Sequence, residues 1–354
     1  MSHASGAVRL KDLSAYLAHD SPAIGRDSPA VGKSVTRTAG TRHEKRAGLA
    51  VPGNSPNPAR RPTADDLHSR HNLLALGLDW IGQVRSNVRG ALASRDAEYI
   101  HQLRVGLRRL RCLAGLIADL DAGKRKGKRE SIGEELRWIG GLLGQARDLD
   151  VFADETLAQA MTGLPKSQAD ELRRRALRMR STQRAQLRKA LAGDRCSRLL
   201  ARLESMFSES PEAPPAPSRN PVARRLVKSL DRRADKARAR ARHSGDASSD
   251  QLHRLRIEVK KLRYVAEMLA PRYRKKPARD YLECLTGLQD KLGRLQDIIT
   301  ARSLILRIAR AVPGSPHTLA GASDCVAALN RLQPAALERI AVSTREFKQA
   351  RPFW

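Results

Sequence analysis

Apolar residues recur every three or four positions along most of this chain, the spacing that gathers them on one face of a helix. Between Tyr99 and Ala114 the pattern is clear. At 100° per residue, Leu103, Leu107, Leu110 and Ala114 fall on one side, and His101, Arg104, Arg108 and Arg111 on the other. The same periodicity predicts helices at about 64–90, 97–120, 130–160 and 167–208, then at about 220–242, 249–270, 277–311 and 323–347. Thr63 is a suitable cap for the first of them, and Gly90, Gly123, Gly127 and Pro165 mark breaks. His243-Ser-Gly-Asp246 and Pro313-Gly-Ser-Pro316 mark further breaks, and Pro271 and Pro277 bracket another. Strand-like alternation is absent, so the expected fold class is all-α.

Two stretches lack this patterning. Residues 1–63 are rich in Ser, Pro, Gly, Ala and Arg, with too little apolar density for a packed core. They are expected to be a disordered basic arm, with one short helix at most, around Val8–Leu17. Gly32-Lys33-Ser34 imitates the end of a phosphate-binding loop, but Gly25 is wrongly spaced and Pro29 intervenes. Pro211–Pro217 reads as a stiff linker. It divides a helical body at about 64–347 into halves of about 64–209 and 219–347.

The halves repeat one another. His101-Gln-Leu-Arg104-Val-Gly-Leu-Arg108-Arg109-Leu-Arg111 returns as His253-Arg-Leu-Arg256-Ile-Glu-Val-Lys260-Lys261-Leu-Arg263. Leu143-Gly144 followed by Asp148 returns as Leu292-Gly293 followed by Asp297. In each half the His-x-x-Arg helix is second and the Leu-Gly helix third. An internal duplication is the expectation: two pseudo-symmetric four-helix bundles, with the motif helices facing one another.

Charge turns this pattern into a functional question. Arg104 and Arg108 stand at i,i+4, where like charges cost about 0.2–0.5 kcal/mol on an isolated helix, and no acid lies between Tyr99 and Arg111. The stripe needs a counterion from a neighbouring helix or from an anionic ligand. The whole chain carries 67 Lys and Arg against 37 acids, a net +30, which points to a polyanionic partner: nucleic acid, an acidic membrane surface or inorganic polyphosphate. The three Trp, five Tyr and four Phe are few for a binder that stacks on bases. On the fourth helix Arg173, Arg180 and Arg184 share a side with Leu177, Leu187 and Leu191. Those arginines either cover apolar surface with their stems or line a polar channel. The basic fifth helix reads as solvated. His101 and His253 suit hydrogen-bond donation better than catalysis. Asp148, Asp150 and Asp297 suit pairing with the motif arginines better than metal ligation, and Tyr264 and Trp138 suit the core.

Enzymatic signatures are missing. There is no His-Glu-x-x-His, no Gly-x-Ser-x-Gly, no phosphate-loop glycine pattern and no dense carboxylate cluster. No catalytic residue, cofactor or metal is therefore expected. Cys112, Cys196, Cys284 and Cys325 are scattered and read as reduced, packed thiols. No apolar run is long enough to span a membrane, and the expected location is the cytoplasm.

These motifs resemble the CHAD family, the conserved-histidine α-helical domains, over about 64–347. The resemblance rests on the two His-x-x-Arg stretches, on Leu-Gly-x-Ala-Arg147-Asp148-x-Asp150 and on Leu288-Gln289-Asp290 with Gly293 and Asp297. It implies two pseudo-symmetric bundles around a basic central cavity that binds inorganic polyphosphate, and association with polyphosphate granules. The expected binding residues are His101, Arg104, Arg108, Arg109 and Arg111 with His253, Arg256, Lys260, Lys261 and Arg263, and Arg180 and Arg184 of the fourth helix contributing. Some members carry an N-terminal triphosphate-tunnel hydrolase with a Glu-x-Glu-x-Lys strand. That signature is absent, so binding without hydrolysis is expected. Two departures stand out: Gly106 inside the first motif helix, and the pair Lys260-Lys261 where the first half has Arg108-Arg109. Lysine binds phosphate as a point charge whereas arginine can be bidentate. Phosphate-backbone binding to nucleic acid is the alternative function, and phosphate transfer or hydrolysis a more distant one.

Overall fold

The computed structural model of the chain describes residues 55–120, 126–208, 221–242, 248–311 and 315–354. The stretch around Val8–Leu17, the Gly32-Lys33-Ser34 sequence and the Pro211–Pro217 linker lie outside the described residues. Helices α1 (Arg70–Ala93), α2 (Ala97–Leu120), α3 (Lys126–Val151), α4 (Lys166–Ala192) and α5 (Asp194–Phe207) precede the linker. Helices α6 (Pro221–Arg242), α7 (Ser249–Leu269), α8 (Lys275–Arg310) and α9 (Pro316–Gln349) follow it. No strand occurs among the described residues, and no helix there is long and apolar enough to cross a membrane.

Local chemistry sets the boundaries, and several differ from those read off periodicity. The first helix begins at Arg70 because Ser69 caps it, its side chain accepting from the Asn72 N–H at 3.1 Å. Asp65–Leu67 forms only a 3-10 turn before it. The stretch 167–208 is two helices, since Gly193 adopts an extended conformation (φ −81°, ψ 157°) that no helix continues through. Helix α7 starts with a capping box between Ser248 and Gln251. Helix α9 starts at Pro316, earlier than periodicity suggests, with Ser315 as cap and proline in the first turn, where no N–H is missed. It then runs on through Pro334. Helix α3 continues into a π-helical turn, Phe152–Thr156, and a last α turn, Leu157–Ala160.

Part of the expected arm is packed. Trp80 Nε1 donates to the Arg60 carbonyl at 3.1 Å, and Asn87 exchanges hydrogen bonds with both backbone groups of Asn57. Arg60 bridges Asp66 and Asp79, and the Arg60 guanidinium holds the Asp66 carboxyl well below the usual carboxylate range. Residues 55–63 are thus an extended strap across α1 and α2. Their polar anchors were invisible to a reading based on apolar density.

The core does not divide at the linker. One apolar cluster joins Trp80, Leu103, Leu110 and Phe207 to Leu230, Leu255, Leu262 and Leu288. The second joins Leu149, Phe152 and Leu172 to Ile305, Ile308, Cys325 and Leu329. Each cluster draws on both sides of the linker, so the expected four-helix halves are units of sequence and not of packing. Helix α9 lies against α4, and α2 against α6, across that division.

The glycine inside the first motif helix has a packing reason. A Cβ on Gly106 would sit 2.7 Å from Val84 Cγ2 of α1, well inside contact distance. The close approach of α1 fixes the rotation of α2, and with it the direction of the arginine stripe. Gly106→Ala is expected to destabilise the protein by about 1–3 kcal/mol through overpacking. In a Val84→Ala background the same change should become neutral or stabilising, by up to about 1 kcal/mol, through the better helix propensity of alanine. Chemical denaturation of the four proteins checks this; equal effects in both backgrounds would contradict it.

Candidate anion-binding site

The two motif helices touch. The Arg108 guanidinium of α2 lies 4.5 Å from the ring centroid of Tyr264 on α7 and donates to its hydroxyl. Arg263 approaches the same ring at 4.8 Å. Tyr264, expected in the core, is instead a partition between two cavities, both lined by Arg108, Cys112 and Tyr264.

The first cavity, about 250 Å³, collects cations from three helices: Arg104, Arg108 and Arg111 of α2, Lys260 and Lys261 of α7, and Arg233 of α6. Leu107, Leu136 and Leu143 supply apolar wall. Arg233 was missed by the sequence reading, which left the fifth predicted helix solvated. It is anchored by Asp119 at 3.0 Å and by the Ser229 carbonyl at 2.9 Å. The available signal was weak: Asp119 and Ser229 are far apart in sequence, and nothing in the periodicity joins them.

The remaining expected residues scatter. Arg109 points away from the first cavity, donating to the Ala59 and Arg60 carbonyls of the strap. Arg263 lines the second cavity, about 820 Å³, and donates from Nε to Gln289 at 2.7 Å. Arg256, expected on the exposed basic face, is buried at 1% exposure. Arg180 and Arg184 belong to a third cavity and pair with Asp154 and Asp150, each at 2.7 Å. Asp150 thus serves the fourth helix and not the motif arginines.

The histidines differ between halves. His253 Nδ1 lies 2.9 Å from Gln296 Oε1 on α8. His101 feels Arg147, which holds the matching place of the Leu-Gly motif, three residues after its glycine. Burial lowers the His101 pKa, Glu98 opposes this, and Arg108, Arg147 and Arg104 lower it further. His101 is therefore neutral at pH 7, keeping one N–H to donate.

Burial also dominates at Arg104. Arg104 donates to the Leu143 carbonyl at 2.8 Å, and its pKa is pushed down to about 10 by burial and by Arg108, with Asp148 opposing. In the second half Asp297 acts with Arg256 as Asp148 does with Arg104. Each Leu-Gly helix thus sets its aspartate in the field of a motif arginine, as the repeat suggests. No group of three or more His, Cys, Asp or Glu side chains able to hold a metal occurs among the described residues.

Comparison with known proteins bears on this arrangement. The sequence profile of the CHAD domain matches residues 79–306, which include both motif helices. The chain belongs to the CHAD domain family. It is similar in structure to the CHAD domain from the plant Ricinus communis, with a TM-score of 0.68 and 25% identity, covering 83% of this chain and 97% of that one. It shares its fold with PptA from Streptomyces chartreusis, with a TM-score of 0.58 and 19% identity, covering 80% of this chain and 99% of that one. No curated protein matches the chain. The CHAD match covers the cavity and excludes the strap.

Asp297 gives this chain a pH signature. Burial, aided by Asp148 and Glu155 and opposed by Arg256, raises its pKa from 3.8 to about 6. The native state therefore binds this proton more tightly than the unfolded chain. Stability contributed by the protonated form is complete below about pH 4 and is lost as pH rises through about 6. Asp297→Asn is expected to flatten the stability profile between those values. Denaturation at a series of pH values checks it, and an unchanged slope in the variant would count against it.

Proposed function

We propose that this CHAD protein binds inorganic polyphosphate without turning it over. The supporting observation is the convergence of Arg104, Arg108, Arg111, Lys260 and Lys261 from both motif helices, with Arg233, on one cavity. A flexible polyanion offers a negative charge on every unit and no base to stack. The cavity matches that demand: cationic heads on an apolar wall, with its one aromatic ring, Tyr264, already covered by Arg108 and Arg263. From His101 to Arg111 the stripe runs about 15 Å at 1.5 Å per residue, enough for several successive phosphates. On this reading the protein works in the cytoplasm and gathers on polyphosphate granules.

The basic residues bind and position the chain, and His101 adds a neutral N–H at the edge. With no nucleophile or metal cluster in the reading, the phosphoanhydride bonds stay intact. Phosphate release from polyphosphate or nucleotide by pure protein with added divalent metal is expected to be at background. Release that disappears in a motif variant would overturn this part.

Competition decides between polyanions. Labelled long-chain polyphosphate is expected to be displaced by unlabelled polyphosphate at far lower charge concentration than by duplex or single-stranded nucleic acid. Arg111→Gln with Lys260→Gln should weaken binding and flatten the dependence of log K on log salt by about 1.4, taking about 0.7 per phosphate contact as for single strands. Neither is among the fully buried residues, so helicity should be kept. Equal displacement by nucleic acid would favour a phosphate-backbone binder.

A further inference from the structure

The third cavity, about 390 Å³, lies where the end of α1 and the start of α2 meet α4. Arg95, Arg180, Arg184 and Arg188 line it, with the hydroxyls of Ser94 and Ser181. Three of these arginines are fixed in place. Asp154, presented by the π-helical turn after α3, holds Arg180, and the nearly buried Asp150 holds Arg184. Arg188 donates to the Leu92 carbonyl near the end of α1. Arg95 is exposed and makes no hydrogen bond or ion pair among the described residues. Arg184 Nε is buried without a hydrogen-bond partner. The one carboxylate in the wall, Asp96, is engaged in accepting the Glu98 N–H at 2.8 Å.

Helix α2 contributes to the walls of both this cavity and the central one. The wall of the third cavity includes Ile100, and the central cavity begins at Arg104. Those residues are i,i+4 on α2, neighbours about 5–6 Å apart on one helix face. From Ile100 to Gly115, the far end of the central cavity's α2 wall, the helix rises about 22 Å. His101 stands between Ile100 and Arg104 along α2.

We propose that this cavity is a second anion site, which takes the continuation of the same polyphosphate chain that lies in the central cavity. The proposal rests on the polyphosphate reading above and gives it a length requirement. A short oligomer fills the central cavity alone. A long chain passes His101 and engages Arg95, Arg180 and Arg184 as well, so it gains contacts that a short one cannot reach.

Calorimetric titration of the full chain with tripolyphosphate and with long-chain polyphosphate tests this. Arg95→Gln with Arg180→Gln is expected to weaken long-chain binding about tenfold and to flatten its salt slope by about 1.4. Tripolyphosphate affinity should be unchanged. Arg95→Gln alone, which breaks no contact, should move in the same direction. Arg331→Gln with Arg339→Gln removes equal charge from exposed positions on α9 and should leave both ligands unaffected. Native-like long-chain binding in the Arg95 and Arg180 variant overturns the second site while leaving the central one standing. Equal weakening of both ligands, or equal weakening in the α9 control, overturns it too. Native protein that binds neither ligand removes the central reading and this one with it.

Discussion

Like charge held close is the constraint on which this structure depends. Two helices with cationic faces are brought into contact, and the guanidinium of Arg104 is taken largely out of water while that of Arg256 is fully buried. Burial and mutual repulsion both oppose this, and each costs most where the dielectric is low. The fold offsets them with carboxylates from the third helix of each half, Asp148 near Arg104 and Asp297 near Arg256. Aromatic and backbone acceptors contribute the rest: Tyr264 under Arg108 and the Leu143 carbonyl under Arg104. The cavity is what remains when these partners hold the guanidiniums apart from one another.

Such an arrangement leaves cationic donors in place before any anion arrives. Arginine keeps further N–H groups after one is used, so a guanidinium anchored to a carbonyl or carboxylate can still donate to phosphate. Lys260 and Lys261 add point charges opposite the arginines, with Lys261 held by Glu258 at 2.8 Å.

Much of this was legible in the sequence because period and repetition are local properties. The helices, the paired motifs and the family resemblance all follow from spacing within short windows. Where a cation ends up is decided by partners distant in sequence. Arg109 was drawn to the strap by carbonyls of Ala59 and Arg60, in a stretch with no apolar periodicity to signal packing. Arg256 was buried by the rotation of α7, which places it beside Asp297 on α8. Arg233 entered the site through α6, a helix whose many charges masked the one that points inward. Gly193 was passed over because apolar spacing continues across it, although its extended backbone ends the helix.

The crossing of the cores has a consequence for how the molecule holds together in time. Neither sequence repeat encloses a complete apolar interior, since Trp80 and Phe207 share one with Leu255 and Leu288, and Phe152 shares the other with Ile308 and Leu329. A nascent chain that has only the first repeat outside the ribosome exposes half of two unfinished interiors. Cooperativity is then a property of the whole body.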